Sequence, residues 1–171
     1  MIRSLGDKKP KIADSALVSE SAYIVGDVEI GENCTVWPGA VVRGDFGSIR
    51  IGNNSHIEDN AVVHGAPPSL DIGDNVVIGH GAVVNARRIG NKVLVGINAA
   101  VLHEVETGDD CIIAAGAVVT RGMQIPSGSF VTGVPAKIVG KISEKHLMWV
   151  VDGPPFYSQW AQEYKKQGLM R

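Results

Sequence analysis

Arg43, His64 and Asn85 recur at one constant interval, and Asp59 and His80 repeat that interval. Asp45 follows Arg43 closely, and Glu58 precedes Asp59. These side chains suit acid–base and metal chemistry. Imidazole binds transition metals and transfers protons near neutrality. A carboxylate orients an imidazole or accepts a proton. Guanidinium pairs with carboxylate through two parallel hydrogen bonds. An interval this long cannot act locally, so a repeat must carry it.

The repeat is a hexad. Ile or Val recurs every sixth residue through Ile12, Val18, Ile24, Ile30, Val36 and Val42. The series continues from Ile51, Ile72 and Ile89 to Val131, and only Thr107 departs. Small residues such as Ala16, Cys34, Ala61 and Ala99 stand four positions later. A hexad period over this length is the signature of a parallel β-helix with one short strand per hexad. Three hexads close one coil, and successive coils lie about 4.8 Å apart. Extra residues fall around Asp45-Phe46-Gly47 and Pro67-Pro68, and one is missing near Asn85-Ala86-Arg87-Arg88. All three interruptions fall on one edge of the prism and read as loops.

With the insertions allowed for, Arg43, His64, Asn85 and Leu102 form a column on the third face. Pro38, Asp59, His80 and Ile97 form one on the second. The two columns lie on different sides of one prism. Edge-to-edge contact around a three-fold axis would bring Arg43, His64 and Asn85 of one copy to Asp59 and His80 of the next. The expectation is therefore a homotrimer with an Arg43–Asp59 contact across its interface. His56, His103 and His146 are read as structural or weakly placed.

The chain of 171 residues suits one core, and its formal charge of −2 leaves no basic footprint for nucleic acid. No run of apolar residues is long enough to span a membrane, and the start MIRSLGDKKPKI lacks a secretory apolar stretch. The expected location is the cytoplasm. Cys34 and Cys111 occupy inward small positions and are read as reduced core residues. Residues 1–140 form the β-helix domain, and residues 141–171 a C-terminal helical segment. There Ser143 N-caps a first helix that Gly153-Pro154-Pro155 ends. Tyr157, Trp160, Ala161 and Tyr164 then make the packing stripe of a second helix.

The segment Trp37-Pro38-Gly39-Ala40-Val41-Val42-Arg43-Gly44-Asp45 resembles the WP-x-x-V-x-RGD motif of γ-class carbonic anhydrases. Ile57-Glu58-Asp59 followed by His64, and Ile78-Gly79-His80-Gly81, resemble two further elements of that family. Gly133-Val134-Pro135-Ala136-Lys137 is shared with many hexapeptide acyltransferases. The resemblance implies an all-β, left-handed parallel β-helix, a homotrimer, and a metal at each subunit interface. That metal is usually zinc, with iron or cobalt as alternatives. It places His64 and His80 as metal ligands and Asn85 where the third histidine stands. Arg43, Asp45 and Asp59 take the family's charged positions, and Glu58 stands for its glutamine. Tyr157 remains of an Asn-Tyr pair, with Phe156 in place of the Asn.

Three functions follow. The first is metal-dependent reversible hydration of carbon dioxide to bicarbonate, weakened by Asn85. The second is a silent trimeric scaffold. The third is acyl transfer from coenzyme A, against which no long His-bearing loop projects from the coils.

Overall fold

The computed structural model describes residues 1–151 and 153–170, apart from the side chains of residues 147 and 149–151. Short strands, most of two residues, stack in parallel into a left-handed β-helix, closed by two short C-terminal helices. Every hexad position from Val18 to Val131 is buried, and Ile12 on the open first coil is half-buried. Burying one such side chain contributes roughly 1.5–3 kcal/mol, so the inner ladder is the main source of cohesion. Thr107 is buried with its hydroxyl satisfied, accepting the Gly90 N–H at 2.9 Å. Cys34 and Cys111 are free and buried in the core, and burial pushes the Cys34 thiol up to about 11.

The columns form as the period requires. Arg43 pairs with His64, and Val63 with Val84, so Asn85 follows in the same column. Val36, Ile57, Ile78 and Val95 stack on the second face and carry Pro38, Asp59, His80 and Ile97 after them.

The first insertion differs from the loop expected. Val41–Ile51 is one continuous strand that runs round the corner beside Tyr23–Ile30. Gly44 permits this approach, because a Cβ there would lie 2.4 Å from the Asp27 carbonyl oxygen. Alternation then turns Ile49 inward, stacked on Leu70 from the second insertion, and both are fully buried. The added residues thus extend strands and core while delivering Arg43 and Asp45 to the edge.

After Ser129–Gly133 pairs antiparallel with Ala136–Lys141, the chain forms α1 (Glu144–Val151) and α2 (Gly153–Lys166). Gly153-Pro154-Pro155 opens α2 instead of separating the helices. Proline is tolerated in a first turn, where its missing N–H has no intrahelical role. Helix α2 lies on the outward apolar strip of the second face. Ala161 packs there with Leu17, Trp37 and Met170, and the rings of Tyr157 and Tyr164 meet Trp37 edge-on at 6.3 and 5.2 Å. Trp160 departs from its expected packing role. It is 50% exposed and stacks on Phe156, because the stripe centres on Tyr157, Ala161 and Tyr164.

His56 is fully buried beneath α2, with its ring 5.4 Å from that of Tyr157. Trp37 Nε1–H donates to Thr35 Oγ1, whose hydroxyl is 2.8 Å from His56 Nδ1. Burial lowers the His56 pKa from 6.5 to about 4. Above pH 6.5 both the folded and the unfolded imidazole are neutral. As pH falls from 6.5 to about 4, only the unfolded chain takes up the proton, so stability declines and then levels off. The expected loss is about 3 kcal/mol, measured by urea unfolding across that window. A His56→Gln variant should show a clearly shallower decline, and equal slopes would contradict this burial.

Candidate functional site

On the third-face edge, Arg43 donates to Asp45 Oδ2, while His64 Nε2 lies 3.0 Å from Asp45 Oδ1. Asp45 therefore holds both groups from a single turn of strand. Burial alone would raise its carboxyl, but hydrogen bonds from Arg43, His64 and the local backbone outweigh that and hold it below the usual carboxylate range. Asn85 reaches His64 from the next coil. Its Nδ2 is 2.9 Å from His64 Nδ1 and 2.9 Å from the His64 carbonyl oxygen. The exposed Phe46 ring stands edge-on to His64 at 5.8 Å and flanks the group.

The second-face edge carries its own cluster. His80 Nδ1 is 3.0 Å from Asp59 Oδ2, and His80 Nε2 is 3.3 Å from Glu58 Oε2. Glu58 is buried and accepts the His80 backbone N–H at 2.8 Å through Oε2, while its Oε1 is buried with no hydrogen-bond partner. Tyr157 of α2 stands beside this carboxylate. Burial, and then Glu58, push the tyrosine hydroxyl above its usual range. A groove of about 350 Å³ opens here, with Leu94, Ile97 and Phe130 on its apolar side and Glu58, His80 and Tyr157 at its polar end.

The chain thus gathers Arg43, Asp45, His64 and Asn85 on one edge, and Glu58, Asp59, His80 and Tyr157 on another. Within one chain Arg43 pairs with Asp45, and Asp59 with His80. Among the described residues, no three His, Cys, Asp or Glu side chains form a cation-holding group. His146 stacks on Phe130 at 4.8 Å and lines the same groove, and His103 lines a cleft on the insertion edge. His56, weakly placed on sequence grounds, is fully buried. Its position before an inward Ile faces it outward on the second face, and only the placement of α2 shows that this face is covered.

The three-imidazole zinc centre that the motif resemblance implies makes a definite demand on these donors. A ligating imidazole must offer an unprotonated nitrogen. Both nitrogens of His64 are engaged, and the Asn85 amide oxygen is buried without a partner. As they stand, these residues do not fit that centre.

Comparison with known proteins matches the family described as bacterial transferase hexapeptide (six repeats) over residues 9–44 and 88–121. The hexapeptide repeat of succinyl-transferase matches residues 27–65. The chain is 34% identical over 163 residues to a mitochondrial γ-carbonic anhydrase 2 of Arabidopsis thaliana, covering 91% of this chain and 59% of that protein. It thus spans less than two thirds of that relative's length. A segment of 56 residues is 45% identical to a 2,3,4,5-tetrahydropyridine-2,6-dicarboxylate N-acetyltransferase of Staphylococcus aureus, covering 33% of this chain and 23% of that protein. A crystal structure of a hexapeptide transferase family protein from Anaplasma phagocytophilum aligns with a TM-score of 0.90 and 31% identity, covering 94% of this chain and 96% of that one.

The buried Glu58 gives a test of the second-face cluster. Glu58→Ala leaves the His80 N–H without its acceptor and is expected to cost about 1–3 kcal/mol in urea unfolding. Glu58→Gln keeps an acceptor oxygen and should cost clearly less. Equal losses would show that the carboxylate does not cap this N–H.

Proposed function

This chain belongs to the γ-carbonic-anhydrase-like family of hexapeptide-repeat β-helix proteins, and on that premise we propose that it hydrates carbon dioxide reversibly to bicarbonate between copies of a homotrimer. One observation carries the reading. His64 and His80 occupy successive coils, each against an aspartate, but on different edges of the prism. A small substrate can meet Arg43 beside His64 and Glu58 beside His80 together only where the edge of one copy meets that of another.

In this reading the Glu58 carboxylate is the base, since it borders the groove beside His80 and Tyr157. Water attacks the carbon of carbon dioxide, and its oxygen forms the new bond. One C=O π pair moves onto oxygen to give bicarbonate, and the water proton passes to Glu58. His80, half-exposed and 3.3 Å from Glu58 Oε2, carries that proton to solvent, with Asp59 holding its ring. Arg43 supplies positive charge beside the product anion. A zinc-bound water has a pKa near 7. With the His64 imidazole closed, turnover depends on a carboxylate base and is slow.

The test is carbon dioxide hydration by the wild type and by Asn85→His with zinc added, alongside light scattering. Replacing Asn85 with histidine supplies the third imidazole. The expected result is a trimer in both, with about 10-fold or greater gains in zinc affinity and hydration in the variant. Carbon dioxide hydration absent from both proteins would contradict the reaction, and a monomer at micromolar concentration would contradict the site. Saturable binding of coenzyme A in place of hydration would support the acyl-transfer alternative.

A further inference from the structure

We infer that Asn85 is a positioning residue that holds His64 in its Nε2–H tautomer and so closes that imidazole to metal, instead of being a gap where a ligand is missing. The amide carries two hydrogens. One points to the His64 carbonyl oxygen and the other to His64 Nδ1, each contact being 2.9 Å. The reversed amide would set two carbonyl oxygens 2.9 Å apart with no hydrogen between them, so the backbone carbonyl selects the orientation. His64 Nδ1 must then be the acceptor. The one proton of the neutral ring lies on Nε2, where it donates to Asp45 Oδ1 at 3.0 Å.

The group is closed from end to end. Arg43 donates to the other oxygen of Asp45, Asp45 accepts the Nε2–H of His64, and His64 Nδ1 accepts the amide N–H of Asn85. To ligate through Nε2, the ring must move its proton to Nδ1, against the amide N–H. To ligate through Nδ1, the amide must leave. Asn85 is only 8% exposed, so it has little room to turn aside. A residue that merely lacks a donor would leave the imidazole free, whereas this one occupies it. This closure deepens the proposed function, on which it rests, by explaining why its site works without a His64–metal bond, and both the tautomer and the zinc affinity can be read without carbon dioxide turnover.

The experiment has two arms on the intact protein. Long-range proton–nitrogen correlation spectra of imidazole-labelled wild type, with His64→Gln used for assignment, report the tautomer directly. The expected result is an unprotonated Nδ1 and a protonated Nε2. An Nδ1–H ring, or an average of the two forms, would overturn the inference. Zinc calorimetry then compares wild type with Asn85→Ala, which adds no ligand. Removing the amide should tighten zinc binding by about 10-fold, the scale on which outer partners act. Equal or weaker binding in Asn85→Ala would show that Asn85 does not restrain His64. Failure to hydrate carbon dioxide would bear on the proposed reaction alone.

Discussion

The inward hexad position constrains everything else in this molecule. A β-branched side chain must enter the prism once per short strand, and a slip of one residue would turn it to solvent. Coil stacks on coil at the spacing of a sheet, so outward neighbours of those residues also stack. Chemistry distant in the chain is thereby gathered into columns. Arg43, His64 and Asn85 are one column, and Asp59 with His80 is another. Thr107 obeys the same constraint despite its hydroxyl, because the Gly90 N–H satisfies it.

Insertions and helices modify this frame without breaking it. The added residues near Asp45 lengthen a strand and place Ile49 in the core, which anchors the corner that bears Asp45. Asp45 then serves two partners, and its charge settles how Arg43 and His64 are oriented. On the second face, α2 covers an outward strip that would otherwise lie open. It buries His56, flanks Glu58 with Tyr157, and turns a flat sheet face into the wall of a groove.

The period made the β-helix, its columns and the edge of the interruptions readable from sequence alone. Residue type picked out His64 and Glu58, which fall beside inward positions and so face outward, and Asp59 and His80, which follow inward Ile57 and Ile78 by two residues in one column. Other features depended on tertiary contacts that the period does not carry. His56 obeys the same outward rule, but its burial depends on where a separate helix docks. Trp160 fits the helical spacing, yet the centre of the docking face falls on Ala161. The Gly153-Pro154-Pro155 segment suits a helix start as well as a stop, and the packing of Tyr157 decides for the start. The extra residues after Val42 read as a loop because hexads cannot show that a strand continues through a corner. The closure of His64 by Asp45 and Asn85 is a matter of hydrogen direction, which spacing does not encode.

The proposed site is divided between copies of the chain, with His64 from one edge facing His80 from another. Its most direct test mixes His64→Cys with His80→Cys protein, refolds them together and oxidises gently. Cys34 and Cys111 are buried and should remain out of the reaction. A divided site predicts a disulfide-linked pair of chains in the mixture and little in either variant alone. A mixture that stays uncrosslinked, while each variant keeps its fold and its oligomeric state, would contradict the divided site.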